Sequence, residues 1–282
     1  MKIKRVGVIG AGQMGAGIAQ VCASIGKVVT LCDIKQDFID NGIATINKNL
    51  QRGVSKDRIS QKQMDDTLGN VETTLDKKGL KNCDIIIEAI IEDVDIKKEL
   101  FSDLGILCDS KTILASNTSS IPIGILAEAS GRADKVVGMH FMNPVPVMKL
   151  IEVIRAKSTS DDTFDTTFKL AEDLHKVPVL VNDFPGFVSN RILLPMLNEA
   201  MFCVMEGVAE PEAVDTVMKL GMSHPMGPLT LADFIGLDTC LAIMKVLHKD
   251  MKDDKYRPCP LLEEMVIEGK LGRKSGEGFY KY

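Results

Sequence analysis

The stretch Ile3 to Asp33, IKRVGVIGAGQMGAGIAQVCASIGKVVTLCD, constrains this chain more than any other. An apolar run from Val6 to Ile9 leads into Gly10-Ala11-Gly12-Gln13-Met14-Gly15. A helical pattern then runs to about Ser24, a β-rich run covers Val28 to Leu31, and Asp33 closes the segment. Strand, glycine turn, helix, strand and acid in that order predict a βαβ unit that binds a dinucleotide. Gly10 makes the tight turn, Gly12 lets the backbone approach a pyrophosphate, and Gly15 allows the helix to pack closely on the strand. The helix N-terminus offers free N–H groups and a positive dipole end, so Gln13 and Met14 join the glycines as candidate cofactor contacts. Asp33 falls close to the expected ~20 residues further on, where a carboxylate takes the ribose hydroxyls. An acid there repels a 2′-phosphate and favours NAD. Lys35 softens that preference and leaves NADP open.

A length of 282 residues with 45% hydrophobic content supports two domains with separate cores. The net charge of −5 argues against nonspecific nucleic-acid binding, which needs a basic excess to displace counterions. No uninterrupted apolar run reaches the ~18 residues of a membrane span. The first strand begins so near Met1 that no signal or transit peptide is expected. The seven cysteines show no CxxC spacing and mostly sit in apolar segments, which favours free thiols in a reducing cytoplasm over disulfides or a metal site.

Along the chain, two amphipathic helices follow Asp33. The first carries Phe38, Ile39, Ile43, Ile46 and Leu50 on one stripe, and the second runs from about Lys56 to Leu68. They predict a helical hairpin over about 36–69 whose polar face bears Lys48, Arg52, Lys56 and Arg58. That face is either simply solvated or the contact for a phosphorylated substrate. Strands are expected at Val71 to Thr74, Asp84 to Glu88, Thr112 to Ser116, Lys135 to His140, Leu150 to Ile154 and Val177 to Val181, with helices at Val94 to Leu107 and Asp162 to Leu174. Beyond Gly186 the pattern is helical: Phe187 to Met205, Glu212 to Leu220, Leu229 to Met251 and Leu261 to Ile267. The fold class is therefore α/β, a Rossmann-like doubly wound, mostly parallel sheet over 1–183, followed by an all-α domain over 184–282. Pro195 should kink the first helix of that domain, and the apolar character of this helix nearly all round suits a homodimer interface.

In an open α/β sheet the ligand crevice lies at the carboxyl ends of the strands, which makes Glu88 to Glu92 and Asn117 to Ser120 site candidates. Of the four histidines, His175 and His248 sit in polar surroundings, and His224 lies in a proline-rich loop that suits core or ligand. His140 ends a strand on the cofactor side, with Glu152 on the following strand. A carboxylate on one ring nitrogen would leave the other to take a hydroxyl proton.

These residues carry a resemblance along the whole chain. VGVIGAGQMGAGIAQ, ILASNTSS, GMHFMNPVPVMKLIEVI, DFPGFVSNRIL, HPMGPLTLADFIGLD and GRKSGEGFY together resemble the L-3-hydroxyacyl-CoA dehydrogenases, most closely the single-function bacterial 3-hydroxybutyryl-CoA dehydrogenases. The resemblance implies reversible hydride transfer between NAD(H) and C3 of a short-chain acyl-CoA. It makes His140 the general base, oriented by Glu152, with Ser119 on the substrate's 3-oxygen and Asn190 on the acyl group as the domains close on the ligand. It adds Glu92, Lys97, Asn143 and Lys274 as cofactor contacts, and places the CoA nucleotide against the hairpin near Lys56. Two other classes stay open: a related β-hydroxyacid or polyol dehydrogenase acting on a free acid, and a crystallin-like NAD-binding protein without catalysis.

Overall fold

The apolar runs of the first half of the chain all become strands of one sheet. In the computed structural model, which describes residues 1–282, they are β1 (Arg5–Ile9), β2 (Val28–Cys32), β3 (Val71–Thr74), β4 (Ile85–Glu88), β5 (Ile113–Ser116), β6 (Val136–Phe141), β7 (Leu150–Arg155) and β8 (Val177–Asn182). The spatial order is β3-β2-β1-β4-β5-β6-β7-β8, so the direction of winding reverses between β1 and β4. Every neighbouring pair is parallel except β6 with β7. Parallel strands need crossover helices, which cover both faces, and the central strands are correspondingly buried along their length: all four residues of β4 and of β5 are buried.

The helices of this unit, Met1–Asp183, are α1 (Gln13–Ser24), α2 (Gln36–Val54), α3 (Gln61–Gly69), α4 (Val94–Leu107), α5 (Ile123–Ala129) and α6 (Asp161–Asp173). The hairpin is α2 and α3. Its second helix starts at Gln61 rather than near Lys56, because Asp57 takes a left-handed conformation (φ 51°) and Ser60 and Gln63 form a reciprocal capping box that sets the N-terminus. Phe38 does not join the buried stripe of α2: Ile39, Ile46 and Leu50 are buried, whereas Phe38 is exposed. Helix α5 has no counterpart in the sequence reading, since seven residues are too few for a helical period to declare itself.

The second unit, Phe184–Tyr282, contains α7 (Ser189–Met205), α8 (Pro211–Thr216), α9 (Pro228–Ile235), α10 (Leu237–Met251) and α11 (Pro260–Ile267). Helix α7 runs on past Pro195. The single helix expected over Leu229 to Met251 is two, because Gly236 at φ 103° breaks it. Proline opens α8, α9 and α11, at positions where a missing N–H costs nothing. Leu197, Met201, Leu237, Met244 and Leu262 are among the core of this unit. The C-terminal segment is pinned to the bundle by two buried carboxylates. Asp233 accepts the Phe279 and Tyr280 amides at 3.0 Å each, and Asp215 accepts the Tyr280 hydroxyl at 2.9 Å.

All seven cysteines are free and all but Cys203 are buried; burial pushes the Cys22 thiol up to about 12. No helix is long and apolar enough to cross a membrane.

Candidate active site

The glycine turn sits at the carboxyl end of β1, beside the reversal in strand order. Gly10 has φ 98° and its N–H donates to the Cys32 carbonyl at 2.9 Å, tying the turn to β2. A Cβ on Gly15 would lie 1.7 Å from the Gly10 carbonyl oxygen, so only glycine allows α1 to start this close to the strand. At Gly12, in contrast, a Cβ would meet nothing within 4 Å; the space in front of that residue is open. No side chain caps α1 and no acid lies in its first turn, so its N-terminal amides and dipole are left for an anion. Gln13 is exposed and Met14 half-buried at this turn.

Asp33 holds the turn as well as facing the crevice. Its Oδ2 accepts the Ala11 amide at 2.6 Å and its Oδ1 accepts the Ile34 amide at 2.6 Å. Beside it opens a cleft of about 450 Å³ lined mostly by apolar side chains, with Ile34, Phe38, Ile91 and Ile96 on its walls. The exposure of Phe38, unexpected from its helical stripe, follows from this position. Uncapped amides, an open approach at Gly12, a carboxylate at the second strand and an apolar slot fit the diphosphate, ribose and flat ring of NAD in turn.

Three strand spacings further along the sheet, about 14 Å at ordinary sheet geometry, lies the end of β6. There His140 and Glu152 are directly opposed across the antiparallel β6–β7 pair, with Nδ1 and Oε2 2.8 Å apart and both residues buried. Asn117, at the end of β5, accepts the Phe141 amide at 2.9 Å through its side chain, which fixes the chain just after His140.

Between these two places stands a polar cluster. Lys97, on α4, is 1% exposed and contacts Glu88 Oε1 at 3.0 Å and Glu92 Oε2 at 2.8 Å. Glu88 also takes the Ser116 hydroxyl at 2.6 Å and the Ile90 amide at 2.7 Å. Glu92 Oε1 receives the Thr118 hydroxyl at 2.5 Å, the Ser119 amide at 2.9 Å, the Ser120 amide at 3.1 Å and the Ser120 hydroxyl at 2.9 Å. Burial pushes the Glu92 carboxyl up, but the Lys97 ammonium and the hydrogen bonds from Lys97, Thr118 and Ser119 outweigh it and bring it down to about 2. Glu92, Lys97 and Ser119 thus share one network. Glu88 and Thr118 fall within the strand-end candidates of the sequence, whereas Ser116 does not; its signal is the charged residue that ends the apolar run Ile85-Ile86-Ile87 on the neighbouring strand.

The other candidates are on further elements. Asn143 is exposed in the loop after β6, and Lys56 is exposed in the turn between α2 and α3. In the second unit, Asn190 is in the first turn of α7, its amide donating to the Gly186 carbonyl at 3.1 Å, and Lys274 is in the C-terminal segment, ion-paired with Asp238. His175 is exposed in a turn and His248 pairs with Asp254 at 3.0 Å.

Comparison with known proteins agrees over the full length. The family model described as 3-hydroxyacyl-CoA dehydrogenase, NAD binding domain, matches residues 5–184, and that of the C-terminal domain of the same enzymes matches residues 186–282. A probable 3-hydroxybutyryl-CoA dehydrogenase of Deinococcus radiodurans is 60% identical over 278 residues, covering 99% of this chain and 100% of its own. The 3-hydroxybutyryl-CoA dehydrogenase of Bradyrhizobium diazoefficiens is 50% identical over 280 residues, covering 99% and 96%. Among solved structures, (S)-3-hydroxybutyryl-CoA dehydrogenase from Ralstonia eutropha superimposes with a TM-score of 0.97 at 47% identity, covering 100% of this chain and 99% of its own. With both domain models matched end to end and relatives of this similarity, the chain belongs to the 3-hydroxyacyl-CoA dehydrogenase family.

Proposed function

We propose that this protein catalyses reversible hydride transfer at C3 of 3-hydroxybutyryl-CoA and other short-chain L-3-hydroxyacyl-CoA substrates. The observation that carries the reading is the buried His140–Glu152 pair at the strand ends, on the same sheet edge as the dinucleotide turn. With Nδ1 donating to Glu152, Nε2 of His140 is the nitrogen that takes the 3-hydroxyl proton. The carboxylate then stabilises the imidazolium that forms. In the reverse direction the same imidazolium returns the proton to the 3-keto oxygen. Bound NAD(H) supplies the hydride acceptor or donor. Ser119 donates to the 3-oxygen, where negative charge develops, from a turn whose amides are already held by Glu92.

Gly10, Gly12, Gly15, Gln13, Met14 and Asp33 hold the cofactor, with Glu92, Lys97 and Asn143 on its nicotinamide side. The exposed Lys56 of the hairpin takes the CoA phosphates. For Asn190 and Lys274 the family likeness supports acyl-group and cofactor contacts respectively. Exposed apolar residues of the second unit, Leu220, Met222 and Ile267 among them, support a homodimer through that unit. Free thiols support a cytoplasmic setting.

The test is a spectrophotometric assay of the purified protein with acetoacetyl-CoA, run with NADH and with NADPH, beside free acetoacetate. Oxidation of NADH that requires the CoA ester is expected. Absence of turnover with every 3-ketoacyl-CoA overturns the reading.

A further inference from the structure

Lys97 is among the largest fully buried side chains of the protein, and an ammonium group is an expensive thing to bury. Its surroundings show what it is held for. Asp93 caps α4, accepting the Asp95 and Ile96 amides at 3.0 Å each, and Lys97 lies one turn further in, its own amide on the Asp93 carbonyl at 3.1 Å. From this rigid start of a helix, the ammonium meets one carboxylate from the end of β4, Glu88, and one from the loop that follows it, Glu92. Glu88 is in turn tied to β5 through Ser116, its direct neighbour in the sheet. Glu92 gives its other oxygen to the turn over 118–120, where five donors converge on it, the Ser119 hydroxyl itself at 3.4 Å. The cluster therefore runs unbroken from the sheet, through Lys97, to the backbone on either side of the Ser119 side chain.

We propose that Lys97 and Glu88 are positioning residues for hydride transfer: they lock Glu92 in place as an ionised brace, and the brace fixes the Ser119 hydroxyl where the substrate's 3-oxygen must lie. This rests on the reading of Ser119 given above. The chemistry of the brace requires a charge. An ionised carboxylate is acceptor-only and can face this ring of amide and hydroxyl donors, whereas a protonated carboxyl would bring a donor of its own among them and open the turn. Lys97 supplies the counter-charge that keeps Glu92 ionised, and Glu88, held by Ser116 and the Ile90 amide, keeps the ammonium from following Glu92 outward. Two carboxylates against one ammonium leave an excess negative charge. The Ser119 and Ser120 amides compensate it, so the turn and the ion cluster hold each other.

The proposal is tested by a double-mutant cycle on the full-length enzyme, using Lys97→Met and Ser119→Ala singly and together, with acetoacetyl-CoA and NADH. Lys97→Met should lower kcat and kcat/KM together by about 10- to 100-fold at saturating NADH, the cost of a misplacement near 1 Å, a larger factor than any rise in the NADH Kd from the lost cofactor contact. In the Ser119→Ala background the same change should cost less than about threefold, because the group it positions is already gone. A second cycle with Glu92→Gln in place of Lys97→Met should show the same coupling, and it decides the matter alone if Lys97→Met fails to fold. Additive effects in the cycle, with Ser119→Ala itself impaired, overturn the brace and leave the Ser119 role standing. A Ser119→Ala enzyme of normal rate overturns both.

Discussion

Glu152 stands directly opposite His140 across the single antiparallel pairing of an otherwise parallel sheet, with Oε2 2.8 Å from Nδ1. A one-residue slip between β6 and β7 would send one of the two side chains to the other face, so the pair depends on strand register. The loop between the strands is held at Val145, which is buried against α1 near Gly17.

That pair should dominate turnover. His140→Gln is expected to lower kcat for acetoacetyl-CoA reduction by roughly 10²–10⁴-fold, the usual contribution of a positioned acid or base. Glu152→Gln, which keeps the shape but frees the ring tautomer, should lower it by about 10²-fold. NADH binding, followed by fluorescence titration, should survive both changes. A His140→Gln enzyme with near-normal turnover would remove this residue from the mechanism.

Cofactor choice should turn on Asp33. Its carboxylate holds the Ala11 and Ile34 amides and places a negative charge at the end of β2. Asp33→Asn keeps an acceptor there and removes the charge. Removing one repulsive charge at close range corresponds to about tenfold or more, so the ratio of kcat/KM with NADPH to that with NADH should rise by at least that factor. An unchanged ratio in parallel assays would place the selectivity elsewhere.

Gly12 and Gly15 should separate binding from folding. A Cβ at Gly12 meets nothing, so Gly12→Ala should unfold at the wild-type temperature yet bind NADH at least about tenfold more weakly, by filling the space a pyrophosphate needs. A Cβ at Gly15 meets the Gly10 carbonyl, so Gly15→Ala should lose about 1–3 kcal/mol of stability as well as binding. Thermal unfolding and NADH titration on both variants check the contrast.

The ionised state of Glu92 predicts an acid limb in stability. Its carboxyl is brought from 4.5 to about 2 in the folded protein, so folding favours its charged form. That contribution is complete above about 4.5 and is lost as the pH falls toward 2. The melting temperature of the wild type should therefore exceed that of Glu92→Gln at pH 6, and the gap should narrow progressively below pH 4.5. A gap that stays constant down to pH 3 would contradict this.

Everything governed by local geometry and period was legible in the residues alone. The strand–turn–helix unit from Arg5 to Ser24 follows from glycine sterics and apolar runs, and the helix Val94–Leu107 and the strands of the parallel sheet follow from their patterns. His140 and the turn of Ser119 come forward because they lie toward the carboxyl ends of strands, where an α/β sheet puts its chemistry, and Glu152 because it lies on the strand that follows His140; the family motifs add the role of Ser119. The tertiary structure decided what depends on residues distant in the chain. It exposed Phe38 as a cleft wall against the period of its own helix, broke the long helix at Gly236 because that glycine's backbone turns positive, and began α3 at the Ser60 cap. Above all it brought Glu88, Lys97 and Ser116 into one buried cluster. Charge pairing of that kind acts through space, between β4, α4 and β5, and leaves no spacing in the sequence by which it could be read.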